Sequence, residues 1–143
     1  MADRNATTSW SGDLASGTGT VTLDSSDAGR FPVSFPARTE EPNGQTSPEE
    51  LIAAAHSSCY SMQLSGLLGE SGHTPQRVDT SAEVTLGKSG DGLAITGIAL
   101  TVRASVPGAD SATFQEAARK AKEICPVSAA LTGTTITLDA ALE

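Results

Sequence analysis

The chain has 143 residues, 38% of them hydrophobic but only five of them aromatic, which suits one domain with a modest core of Leu, Ile, Val and Ala. Seventeen acidic against nine basic residues leave a net charge of −8. That balance argues against nucleic acid and anionic membrane surfaces as partners, because phosphate binding needs clustered positive charge.

Taken in order, the first 45 residues read as short strands and turns. Residues 7–10 form a first strand, ended by Ser11-Gly12-Asp13, and the Thr-rich residues 17–23 a second, ended by residues 24–29. Alternation over residues 31–35 reads as a third, with Pro32 confining it to an edge or a strand start. Arg38 follows on a connection that turns at Pro42-Asn43-Gly44. A long helix is then expected from about residue 48 to about residue 68. Ser47 can cap it, Pro48 fits its first position, and Glu49 and Glu50 suit the positive end of the helix dipole. No charged residue appears from Leu51 to Gly69, so the helix is expected to be buried around most of its circumference. His56, Gln63 and four serines make it too polar to span a membrane.

Gly69 and Gly72 are stop signals for that helix, with Pro75 shortly beyond. A strand starting at Val78 turns through residues 88–92 into a β-branched return strand over residues 93–106, where Gly97 suggests a bulge. Asp110 or Ser111 can cap a second helix, with Phe114, Ala117, Ala118, Ala121 and Ile124 on one face. Pro126 then opens a short helix after Cys125, and residues 134–138 read as a closing strand. This order predicts an α+β domain over residues 1–143, with antiparallel sheet packed on a long buried central helix. So long an uncharged helix is hard to bury in a monomer of this size, which predicts an obligate homodimer with the central helices packed together. No apolar run follows the N-terminus, so the cytoplasm is the expected location. There two cysteines are expected to rest reduced, and a disulfide between them reads as catalytic.

Four residues are candidates for chemistry. Cys59 lies mid-helix, where a free cysteine often only fills space. Cys125 lies where one helix ends and the next begins, and a helix N-terminus lowers a thiol pKa. Two such cysteines, without C-x-x-C spacing or a histidine cluster, read as a redox couple rather than a metal site. Arg38 reads either as a loop arginine paired with Glu40 or Glu41, or as the cation that keeps a thiol ionised. Glu49 reads either as a first-turn helix acid or as part of the same site. His56 precedes Cys59 by one turn, a spacing that is usually packing rather than a Cys-His nucleophile.

The pattern Thr46-x-Pro48-Glu49-Glu50-Leu51-Ile52-x-Ala54-Ala55-His56-x-x-Cys59, with Cys125-Pro126-Val127-Ser128 after it, closely resembles the osmotically inducible protein C and organic hydroperoxide resistance (OsmC/Ohr) family. Trp10-x-Gly12-Asp13, Leu67-x-Gly69-Glu70, Ala94-Ile95-Thr96 and Ile136-Thr137-Leu138 extend the resemblance over essentially the whole chain. The Glu-Glu-Leu-Ile variant and the position of Arg38 look more like the OsmC branch. The resemblance implies an intertwined homodimer and a cysteine-based peroxidase that prefers organic hydroperoxides. It implies Cys59 as the peroxidatic cysteine, Cys125 as the resolving one, and Arg38 and Glu49 as polar partners of the thiolate. It implies an external dithiol reductant of dihydrolipoyl type, and no metal, flavin or haem cofactor. A redox-sensing or stress-related binding protein using the same pair is the alternative. Glu49 and Cys59 are ten residues apart, roughly 15 Å along one helix, so a shared site implies Glu49 from the partner subunit, with Arg38 travelling with it.

Overall fold

Why strands give way to helix near the N-terminus is legible in the computed structural model, which describes residues 1–143. β1 (Thr7–Ser11), β2 (Thr18–Thr22) and β3 (Arg30–Val33) form an antiparallel sheet in that order. Trp10 stands opposite Gly19, where a Cβ would lie 2.8 Å from the indole, so the ring lies on bare backbone that only glycine provides. β3 stops at Val33, short of the expected residue 35. The Ser34 side chain accepts the Ala37 amide at 3.2 Å and Pro36 sits in the first turn, which starts the short helix α1 (Phe35–Thr39). Arg38 therefore stands on a helix, not on the open connection expected. Helix α2 (Pro48–Glu70) begins as the sequence predicts, with the Ser47 hydroxyl accepting the Glu50 amide at 3.1 Å.

The residues fall into two compact units, Met1–Leu51 and Ile52–Glu143. In the second, α2 ends where expected. His73 donates its amide to Leu68 and Gly72 to Gly69, and Gly72 holds the left-handed φ of +84° that this closure requires. Strands β4 (Arg77–Ser89) and β5 (Gly92–Ser105) form a long antiparallel hairpin. Thr85 pairs with Gly97 and Leu86 with Ile95, which leaves Thr96 as the extra residue of the expected bulge. Asp110 caps α3 (Ser111–Ile124) by accepting the Thr113 amide at 2.8 Å, and α4 (Pro126–Ala130) follows.

β6 (Thr135–Leu142) then lies beside β5, parallel to it, so the sheet β4-β5-β6 is mixed rather than wholly antiparallel. The reason is the connection, because a strand reached through two helices can return on the same side and run the same way. β5 is the central strand and alternates cleanly, burying Ile98, Leu100, Val102 and Ala104. Tyr60, Leu64 and Leu68 of α2 and Phe114, Ala118 and Ala121 of α3 complete that core. Each fully buried large side chain there is worth roughly 1.5–3 kcal/mol of apolar burial. The Tyr60 hydroxyl donates to the Ala118 carbonyl at 2.9 Å and so ties α2 to α3.

Burial on the second unit's part of α2 follows one stripe, His56, Tyr60, Leu64 and Leu68, at intervals of four. The opposite face, with Ala54, Ala55, Ser58, Met62, Gly66 and Gly69, is exposed although it carries no charge, and Met62 is 72% exposed. The burial expected around most of the helix is thus not met within one chain.

Candidate functional site

In the first unit, the short helix α1 delivers Arg38 to Glu49 in the first turn of α2. The guanidinium donates Nε–H to both carboxylate oxygens, at 3.0 and 3.1 Å, and Nη2–H to Oε1 at 2.7 Å. Glu49 is only 7% exposed, whereas a third of the Arg38 side chain still meets solvent. The Glu49 carboxylate raises the Arg38 pKa further, chiefly by accepting these hydrogen bonds, so the cation is permanent. Arg38 is paired with neither Glu40 nor Glu41. Beside the pair lies a cavity of about 350 Å³ lined mainly by Trp10, Leu14, Val33, Phe35 and Leu51, with Arg38 as its cation.

In the second unit, α2 and the α3–α4 junction bring the two cysteines together. Both are free thiols, and the Cys125 sulfur lies 3.0 Å from that of Cys59, close contact but well short of the ~2.05 Å of a disulfide. Cys125 is fully buried and Cys59 half-buried, so Cys59 is the sulfur that a reagent can reach. Pro126 is what separates the helices. It cannot continue α3 but opens α4, which leaves Cys125 at the N-cap between them.

The two thiols are driven apart electrically. Burial, and then the hydrogen bond shared with Cys125, push the Cys59 thiol up, while the Val127 amide acts the other way. Burial also opposes ionisation of Cys125, but the hydrogen bond shared with Cys59 and the Ser128 amide, Ser128 hydroxyl and Val127 amide outweigh it, and its pKa falls. The Cys125 side chain makes no cap hydrogen bond in α4. Within one chain the negative charge of the pair therefore favours Cys125, whereas the expected role of Cys59 requires it on Cys59.

His56 makes no hydrogen bond to Cys59. Its Nε2 lies 2.7 Å from the Ser128 Oγ, both residues are buried, and its Nδ1 is buried without a partner. Burial lowers its pKa, which keeps the ring neutral. Ser128 carries the one role that sequence reasoning missed. It stands in the Cys125-Pro126-Val127-Ser128 motif, but its partner is 72 residues away.

Residues 41–139 match the family described as OsmC-like protein. The chain is 49% identical over 130 residues to the peroxiredoxin OsmC of Escherichia coli, covering 91% of this chain and 90% of that one. An OsmC-like protein of unknown function from Vibrio cholerae shares the fold with a TM-score of 0.79 at 18% identity, over 99% of this chain and 100% of that one. The organic hydroperoxide resistance protein OhrB of Bacillus subtilis superposes with a TM-score of 0.71 at 25% identity, over 96% and 98% of the two chains. With its two cysteines and their flanking motifs inside the matched segment or beside it, the chain belongs to the OsmC-like family.

Proposed function

We propose that this protein is a thiol-dependent peroxidase that reduces organic hydroperoxides to alcohols. The observation that carries the reading is the pair of free sulfurs 3.0 Å apart, contributed by residues 66 positions apart in sequence. The relatives named peroxiredoxin OsmC and organic hydroperoxide resistance protein favour the same chemistry. The Cys59 thiolate attacks the O–O bond and becomes a sulfenic acid, and the alkoxide takes a proton and leaves as an alcohol. Cys125 then displaces hydroxide from the Cys59 sulfur to form the disulfide, and an external dithiol, of dihydrolipoyl type by family resemblance, restores both thiols by exchange.

The apolar cavity beside Arg38 suits an alkyl or aryl group better than a small polar oxidant. Arg38 and Glu49 act on the Cys59 of a second subunit in this reading. Ten helical residues, roughly 15 Å, separate Glu49 from the Cys59 of its own helix. A guanidinium brought there would shift the charge of the pair from Cys125 to Cys59. The uncharged, exposed face of α2 supports such a homodimer, in which residues 1–143 form one domain per subunit.

The test is one equivalent of cumene hydroperoxide added to the reduced protein, followed by intact mass and peptide mapping. Loss of two hydrogens and a Cys59–Cys125 linked peptide are expected. Oxidation at neither cysteine would refute the reading. A disulfide that forms but never turns over with any dithiol would favour redox sensing instead.

A further inference from the structure

His56 is a buried ionisable group for which the proposed reaction has no use, and its ring has one satisfied and one unsatisfied nitrogen. Nε2 lies 2.7 Å from the Ser128 Oγ, while Nδ1 is buried with no partner. Two arrangements of the single ring proton are available to a neutral imidazole. A proton on Nδ1 would leave a buried N–H with nothing to bond, which folded proteins almost never tolerate. A proton on Nε2 leaves only a bare lone pair at Nδ1. The second arrangement is therefore favoured, and it fixes the direction of the hydrogen bond, with His56 Nε2–H donating and Ser128 Oγ accepting. The hydroxyl proton of Ser128 is then free to point elsewhere. Ser128 is the third residue of α4, in the first turn of the helix whose N-cap is Cys125, which places its hydroxyl on the turn that carries the Cys125 side chain.

We propose that His56 is a positioning residue that orients the Ser128 hydroxyl as a hydrogen-bond donor to the Cys125 sulfur, and so readies Cys125 to close the disulfide. The inference rests on the peroxidase reading for its purpose but not for its geometry. In the resting pair the Cys125 thiol donates to Cys59. Once Cys125 has lost its proton, its sulfur becomes an acceptor, and the Ser128 hydroxyl is the donor that His56 has already turned toward it. The thiolate electron pair then forms the S–S bond with the Cys59 sulfur, the S–O bond of the sulfenic acid breaks, and hydroxide departs and takes up a proton to become water. The Cys125 sulfur is oxidised and the sulfenic sulfur of Cys59 is reduced, while the oxygen leaves at the oxidation level of water. When a dithiol later attacks the Cys59 sulfur, Cys125 leaves as a thiolate and the same hydroxyl receives it. The titratable groups that face Cys125 are Cys59 and Tyr60, both on α2, and Tyr60 is held neutral by burial and then by the negative charge of Cys125.

Two measurements decide the matter. The imidazole nitrogen shifts of the ¹⁵N-labelled wild-type protein report the His56 tautomer directly. The Nε2–H form is expected, and the Nδ1–H form would overturn the proposal. In a Cys59→Ser background, ultraviolet thiolate absorbance against pH titrates Cys125 alone. Adding Ser128→Ala should lower the thiolate fraction at a given pH about tenfold, the usual effect of one hydrogen bond to a charge. His56→Phe should act in the same direction, and His56→Gln, which keeps a side-chain N–H, should restore part of it. Unchanged titration in Ser128→Ala, or a Ser128→Ala effect that both histidine variants fail to share, would refute the relay. If the relay titrates as expected but the wild-type protein forms no disulfide with hydroperoxide, the relay stands and the peroxidase reading falls.

Discussion

Replacing Arg38 with methionine keeps much of its apolar stem and removes the guanidinium that three hydrogen bonds hold against Glu49. What remains is a carboxylate that is 7% exposed and has lost its counter-charge. Breaking a fully buried ion pair costs about 3–5 kcal/mol, and an exposed one about 0–1 kcal/mol. With a third of the Arg38 side chain in solvent, about 2 kcal/mol is the reasonable value for Arg38→Met. For a chain of this size that corresponds to a fall in Tm of roughly 6–8 °C. Glu49→Gln should cost less, about 1 kcal/mol, because solvent can take over part of the guanidinium. The double variant removes the orphaned charge along with its partner, so its loss should fall short of the sum by about 1 kcal/mol. Thermal unfolding of the four proteins at one fixed concentration measures this. Strictly additive losses, or a fall below roughly 2 °C for Arg38→Met, would refute the reasoning.

Other outcomes follow from the same structure. His56 is neutral when folded and takes up a proton on unfolding, so its contribution is intact above its ordinary pKa of about 6.5 and is lost as pH falls below it toward the depressed folded value. Tm should therefore decline from pH 6.5 to 5, and His56→Gln should flatten that slope. The carboxyls of Asp13 and Asp110, lowered by hydrogen bonds to Ser16 and Thr113 respectively, titrate below this window. Asp110→Ala removes the α3 cap and should cost about 1 kcal/mol, read as a lower urea midpoint with an unchanged slope. Met62→Glu places a charge on the exposed uncharged face of α2, so light scattering should show a dimer for the wild type and a monomer for the variant. A monomeric wild type would remove the reason for placing Arg38 and Glu49 across subunits.

Elements with local punctuation were readable from sequence. The Ser47-Pro48 start, the Gly72 stop, the hairpin turn and the Asp110 cap each depend on residues within a few positions of one another. Failures arose where a local pattern met a stronger local rule or a distant partner. Phe31, Val33 and Phe35 alternate like a strand, yet Ser34 followed by Pro36 is also a helix start, and the cap prevails. The parallel direction of β6 depends on its route through α3 and α4, which residues 134–138 do not carry. The motif picked out Cys59 and Cys125, and it contained Ser128 and His56 without indicating that they meet. Nor could it indicate which sulfur one chain alone would favour as the thiolate, because that depends on the amides that Pro126 arranges around Cys125.

The central claim is tested most directly by the rate at which the pure protein consumes cumene hydroperoxide and hydrogen peroxide with a dithiol donor, beside Cys59→Ser and Cys125→Ser. We expect a higher kcat/KM for the organic peroxide, no turnover in Cys59→Ser, and slow turnover with sulfinic acid accumulating on Cys59 in Cys125→Ser. Equal consumption by wild type and Cys59→Ser, or none by the wild type with any dithiol, would contradict it.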